Sequence, residues 1–378
     1  MHSTLHAPPK EQEEKAATKS NVGDEGFPRI LGVGTAVPAN SYTQQDLINE
    51  FAIEDPRIRS VFTNSAIDRR YLTLPPEGSD GARTPETQGE LLDKHKREGI
   101  DLGCRALDAC LKNVGARLED VRYLCCVTST GFLTPGFSAL LIKELGIERH
   151  CSRLDVVGMG CNAGLNGLNA VSAWSRANPG QLAVMVCIEA CSAAYVFDGT
   201  MRTSVVNSLF GDGAAAVALT APEPGDPEPE AMGPAVLKFA SHIIPEAVGA
   251  MRYDWDRDAD RFSFFLDRDV PYVVGANTET VINRLLRDTG LRRTDIAHWV
   301  VHSGGKKVID SVMVNLNLTR HDVRNTMSVL RDYGNVSSGS FLFSYQRLLE
   351  EGAAAPGEYG VFMTMGPGST IETALLRW

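Results

Sequence analysis

A chain of 378 residues that is 43% hydrophobic carries enough apolar side chains for one large layered domain or two fused halves. Acidic residues number 47 against 37 basic ones, and a net charge of −10 argues against a nucleic-acid groove or an anionic membrane surface as the main partner. No run reaches the roughly 20 apolar residues of a membrane helix, and the first residues lack an apolar signal core, so a cytoplasmic protein is expected.

Residues 1–26, polar and charged around Pro8 and Pro9, read as a disordered or loosely docked tail. From Pro28 onward, β-branched apolar runs alternate with helix-like segments. RILGVGTAV (29–37), YLCCVTSTG (123–131), LDVVGMG (154–160), LAVMVCIEA (182–190) and AAAVALT (214–220) predict strands in a first half, 27–225. AVLKFASHII (235–244), HWVVHSGG (298–305) and YGVFMTMGPGSTIETALLRW (359–378) predict strands in a second half, 235–378. Residues 90–115 and 273–290 read as amphipathic helices. The prolines and acids of APEPGDPEPEAMGP (221–234) mark the boundary between the halves. The class is α/β with largely buried strands. No repeat between the halves is visible at the residue level.

The eight cysteines lack paired CxxC spacing and lie mostly in apolar segments, which predicts reduced thiols and neither a disulfide framework nor a zinc site. Cys161 stands out among them. In VVGMGCNAGLNGLNAV (156–171) an apolar run ends at Gly158-Met159-Gly160, the thiol follows, and small residues then recur at helical spacing. Such a cysteine is either a small buried hydrophobe or a thiolate favoured by a helix N-terminus. Each helical glycine costs about 0.8 to 1 kcal/mol relative to alanine. The small face of Ala163, Gly164 and Gly167 is therefore expected to pack closely on another backbone.

Two further residues have a bland and a chemical reading. His302 ends an apolar strand and enters a glycine turn, as a polar turn residue or as part of a strand-end ligand site. Asn335 in DYGNVSSGS (332–340) precedes another small-residue run, as a helix cap or as a donor. Together with Cys161 they have one chemical use. Histidine beside cysteine can hold an imidazolium–thiolate pair that takes an acyl group from a thioester. Histidine and asparagine can then both donate to a thioester oxygen while a malonyl group loses carbon dioxide. In papain-like proteases the same residue types serve differently, with asparagine orienting histidine. No metal, flavin or nicotinamide is needed for this chemistry, and GVGTAVP lacks the third glycine of a dinucleotide fingerprint.

GCNAG around Cys161, SLFGDGAAA (208–216), HSGG (302–305), YGNVSS (333–338) and MGPGST (365–370) resemble, in order and spacing, the type III polyketide synthases of the thiolase/ketosynthase superfamily. The resemblance runs from about residue 27 to the C-terminus. It implies an α-β-α-β-α thiolase fold built from two fused similar halves, and a homodimer. It further implies Cys161 as the acyl-bearing nucleophile, with His302 and Asn335 as the decarboxylation pair. Phe210 and Phe264 match the family's two gatekeeper aromatics, and Cys191, Ala194 and Ser337 match residues that shape the cavity. Gly366, Pro367 and Gly368 match a loop on another cavity wall.

For CoA the resemblance implies basic residues near position 57. Here Arg57 is present, Ser60 and Asn64 replace two others, and Arg59 is a substitute candidate. Gly304, Gly305, Lys306 and Lys307 are further candidates at the HSGGKK turn. GMGCNAGLNGL and AMRYDWDRDADRFSFFLD resemble a bacterial branch of the family that uses malonyl-CoA as both starter and extender. That branch joins four malonyl units, closes an aromatic ring for antibiotic synthesis, and works beside enoyl-CoA hydratase-like proteins. The competing readings are a ketoacyl carrier-protein synthase of the initiating type, a hydroxymethylglutaryl-CoA synthase in which Glu189 would be the candidate acid, and a non-catalytic dimer that binds CoA esters.

Overall fold

A computed structural model describes residues 26–79, 83–225 and 232–378, so the expected tail, apart from Gly26, and part of the 221–234 linker lie outside the described residues. The first half runs β1 (Arg29–Ala36), β2 (Ser41–Thr43), α1 (Gln44–Glu50), α2 (Pro56–Thr63), β3 (Arg69–Tyr71), α3 (Gln88–Val114), β4 (Val121–Thr128), α4 (Phe137–Leu145), β5 (Ser152–Val157), α5 (Ala163–Ala177), β6 (Leu182–Glu189), α6 (Met201–Asn207) and β7 (Gly213–Thr220). The second half runs β8 (Ala235–Ile243), β9 (Met251–Asp256), β10 (Arg261–Leu266), α7 (Val270–Leu286), β11 (Ile296–Val301), α8 (Lys306–Leu316), α9 (Arg324–Tyr333), α10 (Ser340–Glu351), β12 (Tyr359–Gly366) and β13 (Thr370–Arg377).

Nine strands are hydrogen-bonded in the order β11-β12-β13-β8-β1-β7-β6-β4-β5. The middle of that order is a seam, because β1 and β8 share one ladder pair, Arg29 with Ala235. On one side β1, β7 and β6 are antiparallel, and β6, β4 and β5 are parallel. On the other side β8, β13 and β12 are antiparallel, and β12 and β11 are parallel. The two sub-sheets thus repeat one topology. A strand buried on both faces demands only apolar residues, so the duplication leaves no residue-level trace.

Helices α5 and α10 fill the space between the sub-sheets. Leu165, Leu168, Phe341 and Tyr345 share one core with Val127 and Met185 of the first sub-sheet and Phe362 and Ala374 of the second. Helix α3 covers the outer face of the first with Leu102, Ala106 and Leu107, and α7 covers the second with Val281, Ile282 and Leu285. Five layers follow, in the thiolase arrangement. Fully burying one such leucine or phenylalanine contributes roughly 1.5 to 3 kcal/mol.

The glycines of α5 do what the small face predicts. A Cβ on Gly164 would stand 2.3 Å from the Ser338 carbonyl oxygen, and one on Gly167 would stand 2.8 Å from Met185 Sδ. The middle layer therefore sits close enough to bring the end of β5 beside the turn before α10.

Candidate active site

The Cys161 position is built by two turns. Gly158 and Gly160 adopt φ of +82° and +72°, and the 3₁₀ turn Gly160–Asn162 leads from β5 into α5 with Cys161 at its centre. A Cβ on Gly160 would meet Pro367 Cδ at 2.3 Å, and one on Gly366 would meet Asn162 Oδ1 at 2.3 Å. The Gly366-Pro367-Gly368 loop thus packs directly on the cysteine turn. Cys161 is 9% exposed, and its Sγ lies 3.3 Å from Ser337 Oγ. Burial pushes the thiol up to about 12, opposed by the hydrogen bond with Ser337 and by a weaker one from the Asn335 side chain.

His302 extends β11 by donating its backbone N–H to the Met363 carbonyl oxygen at 2.8 Å. Its ring is buried, and Nδ1 has no hydrogen-bond partner among the described residues. Burial lowers its pKa to about 3. Asn335 pairs with Phe210 in a short parallel bridge and receives the Ser337 N–H on Oδ1 at 2.9 Å. That bond leaves the amide NH₂ as the end presented to the sulfur. Burial thus raises the thiol and lowers the imidazole, each toward its neutral form.

Cys161, His302 and Asn335 line one cavity of about 700 Å³, together with Phe210, Phe264 and Pro367. A smaller cavity of about 390 Å³ lies beside it and shares Tyr195 and Phe210 with the first. Tyr195 stacks on Phe210 with centroids 3.9 Å apart, and Phe264 meets Tyr195 edge-on at 5.3 Å. Cys191 lines the smaller cavity, and Ala194 packs at the edge of the second-half core.

Models of the chalcone and stilbene synthases match the chain twice, the N-terminal domain over residues 15–224 and the C-terminal domain over residues 237–378. The chain belongs to the type III polyketide synthases. It is 71% identical over 351 residues to the 3,5-dihydroxyphenylacetyl-CoA synthase of Streptomyces toyocaensis, spanning 93% of this chain and 90% of that protein. It is 69% identical to the synthase of the same name from Amycolatopsis balhimycina, with 93% of each covered. Among solved structures, a 1,3,6,8-tetrahydroxynaphthalene synthase from Streptomyces coelicolor A3(2) superimposes with a TM-score of 0.82 at 25% identity, covering 93% of this chain and 99% of that one.

In this polyketide synthase the mouth of the larger cavity carries Lys306 and Lys307 at the start of α8, after Gly304 and Gly305, which also line it. Arg57 and Arg59 do not line it. The Arg57 side chain is 83% exposed and pairs with Asp55, and Arg59 donates to the Ile53 carbonyl oxygen. Ser60 and Asn64, which replace basic residues, do line the cavity. Arg252 and Arg268 lie at the same mouth, and sequence reasoning passed over both. They belong to the β9–β10 hairpin and the link to α7, whose charged, aromatic pattern resembles neither a buried strand nor a helix.

Tyr195, Tyr253 and Ser129 are further lining residues not anticipated. The signal for Tyr195 was present in CSAAYVF, five residues beyond a predicted buried strand end, but aromatic residues near a core are ordinarily packing. Glu189, which the resemblance treats as structural, is fully buried at the end of β6. Its Oε2 accepts from Ser129 Oγ at 3.0 Å, and its Oε1 accepts from the Ser338 hydroxyl and, at 3.3 Å, from the Ser338 N–H. Burial raises this carboxyl to about 7 against those hydrogen bonds.

Proposed function

We propose that this polyketide synthase condenses four malonyl-CoA units and closes the chain to 3,5-dihydroxyphenylacetyl-CoA, with the nucleophile in the 27–225 half and the decarboxylation pair in the 235–378 half. The observation that carries the reading is the convergence of Cys161, His302 and Asn335 on one 700 Å³ cavity. Identity of about 70% to synthases of that name supports the product. The likeness implies that the product supplies 3,5-dihydroxyphenylglycine for glycopeptide antibiotics.

Cys161 Sγ attacks the malonyl thioester, forming an S–C bond as the bond to CoA breaks. A second malonyl-CoA then loses carbon dioxide, and the electron pair moves onto its thioester oxygen. The orphaned, buried Nδ1 of His302 favours the tautomer with its proton on Nε2, which makes the ring a donor. Nε2–H and the Asn335 amide hold the enolate oxygen, and the enolate carbon attacks the acyl group on Cys161. Phe210 and Phe264 narrow the passage from the mouth, Cys191 and Ala194 shape the inner wall, and the Gly366-Pro367-Gly368 loop closes the side beneath the thiol. The chemistry uses no metal, flavin or nicotinamide. Lys306 and Lys307 carry the CoA phosphates, assisted by Arg268. The enzyme works as a homodimer, and a hydratase-like partner accelerates the loss of water that completes the ring.

Purified protein given uniformly ¹³C-labelled malonyl-CoA alone tests the reading. A dihydroxyphenylacetyl thioester or acid with every carbon labelled supports it. A protein inert until another acyl-CoA is added contradicts it.

A further inference from the structure

Ring closure has no residue assigned to it in the scheme above, and the product shows where one is needed. Four malonyl units, each cut to two carbons by loss of carbon dioxide, give an eight-carbon chain with oxygen on C1, C3, C5 and C7. In a 3,5-dihydroxyphenylacetyl thioester C1 and C2 stay outside the ring, so a C8–C3 bond closes it. C5 and C7 keep their oxygens as the two hydroxyls. The charge of closure therefore falls on the C3 oxygen, two carbons beyond the thioester carbon that His302 and Asn335 hold.

Tyr253 carries a donor that no other task claims. It lies directly opposite Phe264 across the β9–β10 ladder, so the register puts both rings on one face of the hairpin, and both line the larger cavity. Phe264 meets the Tyr253 ring edge-on with centroids 5.0 Å apart, and Tyr195 runs nearly parallel to it at 6.3 Å and 12°. The ring is held on two sides. Its hydroxyl points to the Ser129 carbonyl oxygen at 3.5 Å, longer than an O–H···O bond prefers, so a better acceptor can take the proton. Ser129 Oγ is 2.6 Å from Ser337 Oγ, itself 3.3 Å from Cys161 Sγ, which puts the phenol two side chains along the wall from the sulfur. The serine hydroxyls that line the cavity are engaged. Ser65 donates to the Phe62 carbonyl oxygen, Ser208 to that of Val205 and Ser129 to the Glu189 carboxylate, while Ser60 accepts from Asn64.

We infer that Tyr253 is the proton donor for ring closure, delivering its hydroxyl proton to the C3 oxygen as C8 bonds to C3. The inference rests on the tetraketide reading above. C8 gives a proton to cavity water, and its electron pair forms the bond to C3. The C3–O π pair moves onto oxygen, which takes the Tyr253 proton, and the phenolate recovers a proton from the hydronium. No proton is consumed overall, and a C3 alcohol remains for the later loss of water. A phenol ionises near 10 and is protonated at neutral pH, and burial raises Tyr253 further against a hydrogen bond from Tyr195. A developing alkoxide is a stronger base than a phenolate, so it takes the proton. Without a donor on C3 the competing closure prevails, in which the C5 enol oxygen attacks C1 and expels the thiolate as a pyrone forms. That route places no charge on the C3 oxygen.

The test is the ratio of resorcinol to pyrone that the purified full-length protein makes from malonyl-CoA, read by mass spectrometry beside carbon dioxide release. Tyr253→Phe is expected to lower that ratio about 100-fold, the low end of what a positioned acid supplies. Tyr253→His puts a donor back and recovers part of the ratio. Where Tyr253→Phe releases no carbon dioxide, Tyr253→Leu and Tyr253→His make the same comparison without and with a donor. A wild-type ratio in Tyr253→Phe, or equal ratios in Tyr253→Leu and Tyr253→His, would overturn the assignment. A wild-type protein that makes no resorcinol from malonyl-CoA defeats the tetraketide reading instead, so the two failures are distinct.

Discussion

Ser337 Oγ and Cys161 Sγ stand 3.3 Å apart although 176 positions separate the residues in sequence. The contact exists because Gly164 lets α5 approach the turn before α10, at a spacing where any Cβ would strike the Ser338 carbonyl. Gly164→Val is therefore expected to pry the two apart. It should destabilise the protein by about 1 to 3 kcal/mol through overpacking and lower turnover more than a stability loss explains. Chemical denaturation together with turnover measured well below the melting temperature checks this, and an active, wild-type-stable variant would contradict it.

Asn335 presents its amide NH₂ because Oδ1 is committed to the Ser337 N–H. Asn335→Ala is expected to slow carbon dioxide release from malonyl-CoA by about 100 to 1,000-fold, the usual loss for one oxyanion donor. Release of labelled carbon dioxide measures it. Normal release with no condensed product would assign Asn335 to a later step.

Stability should depend on pH below neutrality, where buried groups push in opposite directions. The Glu189 carboxyl is raised from 4.5 to about 7 in the fold, so its contribution is full below 4.5 and is lost as pH rises through 7. The loss is roughly 3 kcal/mol at most. His302 and His95 are lowered from 6.5 to about 3 and about 4, so their contributions are present above 6.5 and are lost as pH falls toward those values. Thermal melts of wild type and Glu189→Gln between pH 5 and 8.5 isolate the carboxyl's share. The variant should gain more stability than wild type as pH rises from 5 to 7 and run parallel to it above 7, and parallel curves throughout would show that Glu189 is not the group responsible.

The cavity mouth predicts where CoA binds. Replacing Lys306 and Lys307 by alanine is expected to raise KM for malonyl-CoA about three- to tenfold with a smaller change in kcat, an effect that shrinks with added salt. Arg57→Ala should matter less, because Arg57 pairs with Asp55 and does not line the cavity. The reverse order of KM effects would move the phosphate site to α2.

Much of the scaffold was legible because its strands are apolar runs bounded by glycine turns, and each of the eight runs read from the sequence falls on a strand or, at residues 359–378, on a hairpin. Residues 90–115 and 273–290 likewise fall largely on α3 and α7. The β9–β10 hairpin escaped because Arg252, Asp254, Trp255 and Phe262 face outward on it, which breaks the buried-strand pattern. The site was legible as residue types next to turns. Its electrostatics were not, since the sequence shows a helix start beside Cys161 but not the burial that raises the thiol and lowers the imidazole. Nor could it show the link from Glu189 to Cys161, whose members come from four separate segments.

The most direct measurement is mass spectrometry of the protein after brief exposure to malonyl-CoA, with peptide mapping of the adduct. The account predicts a malonyl-derived acyl group on Cys161 and none on the Cys161→Ala variant. An adduct on Cys187 or Cys191, or an unmodified Cys161 in a protein that still makes product, would contradict it.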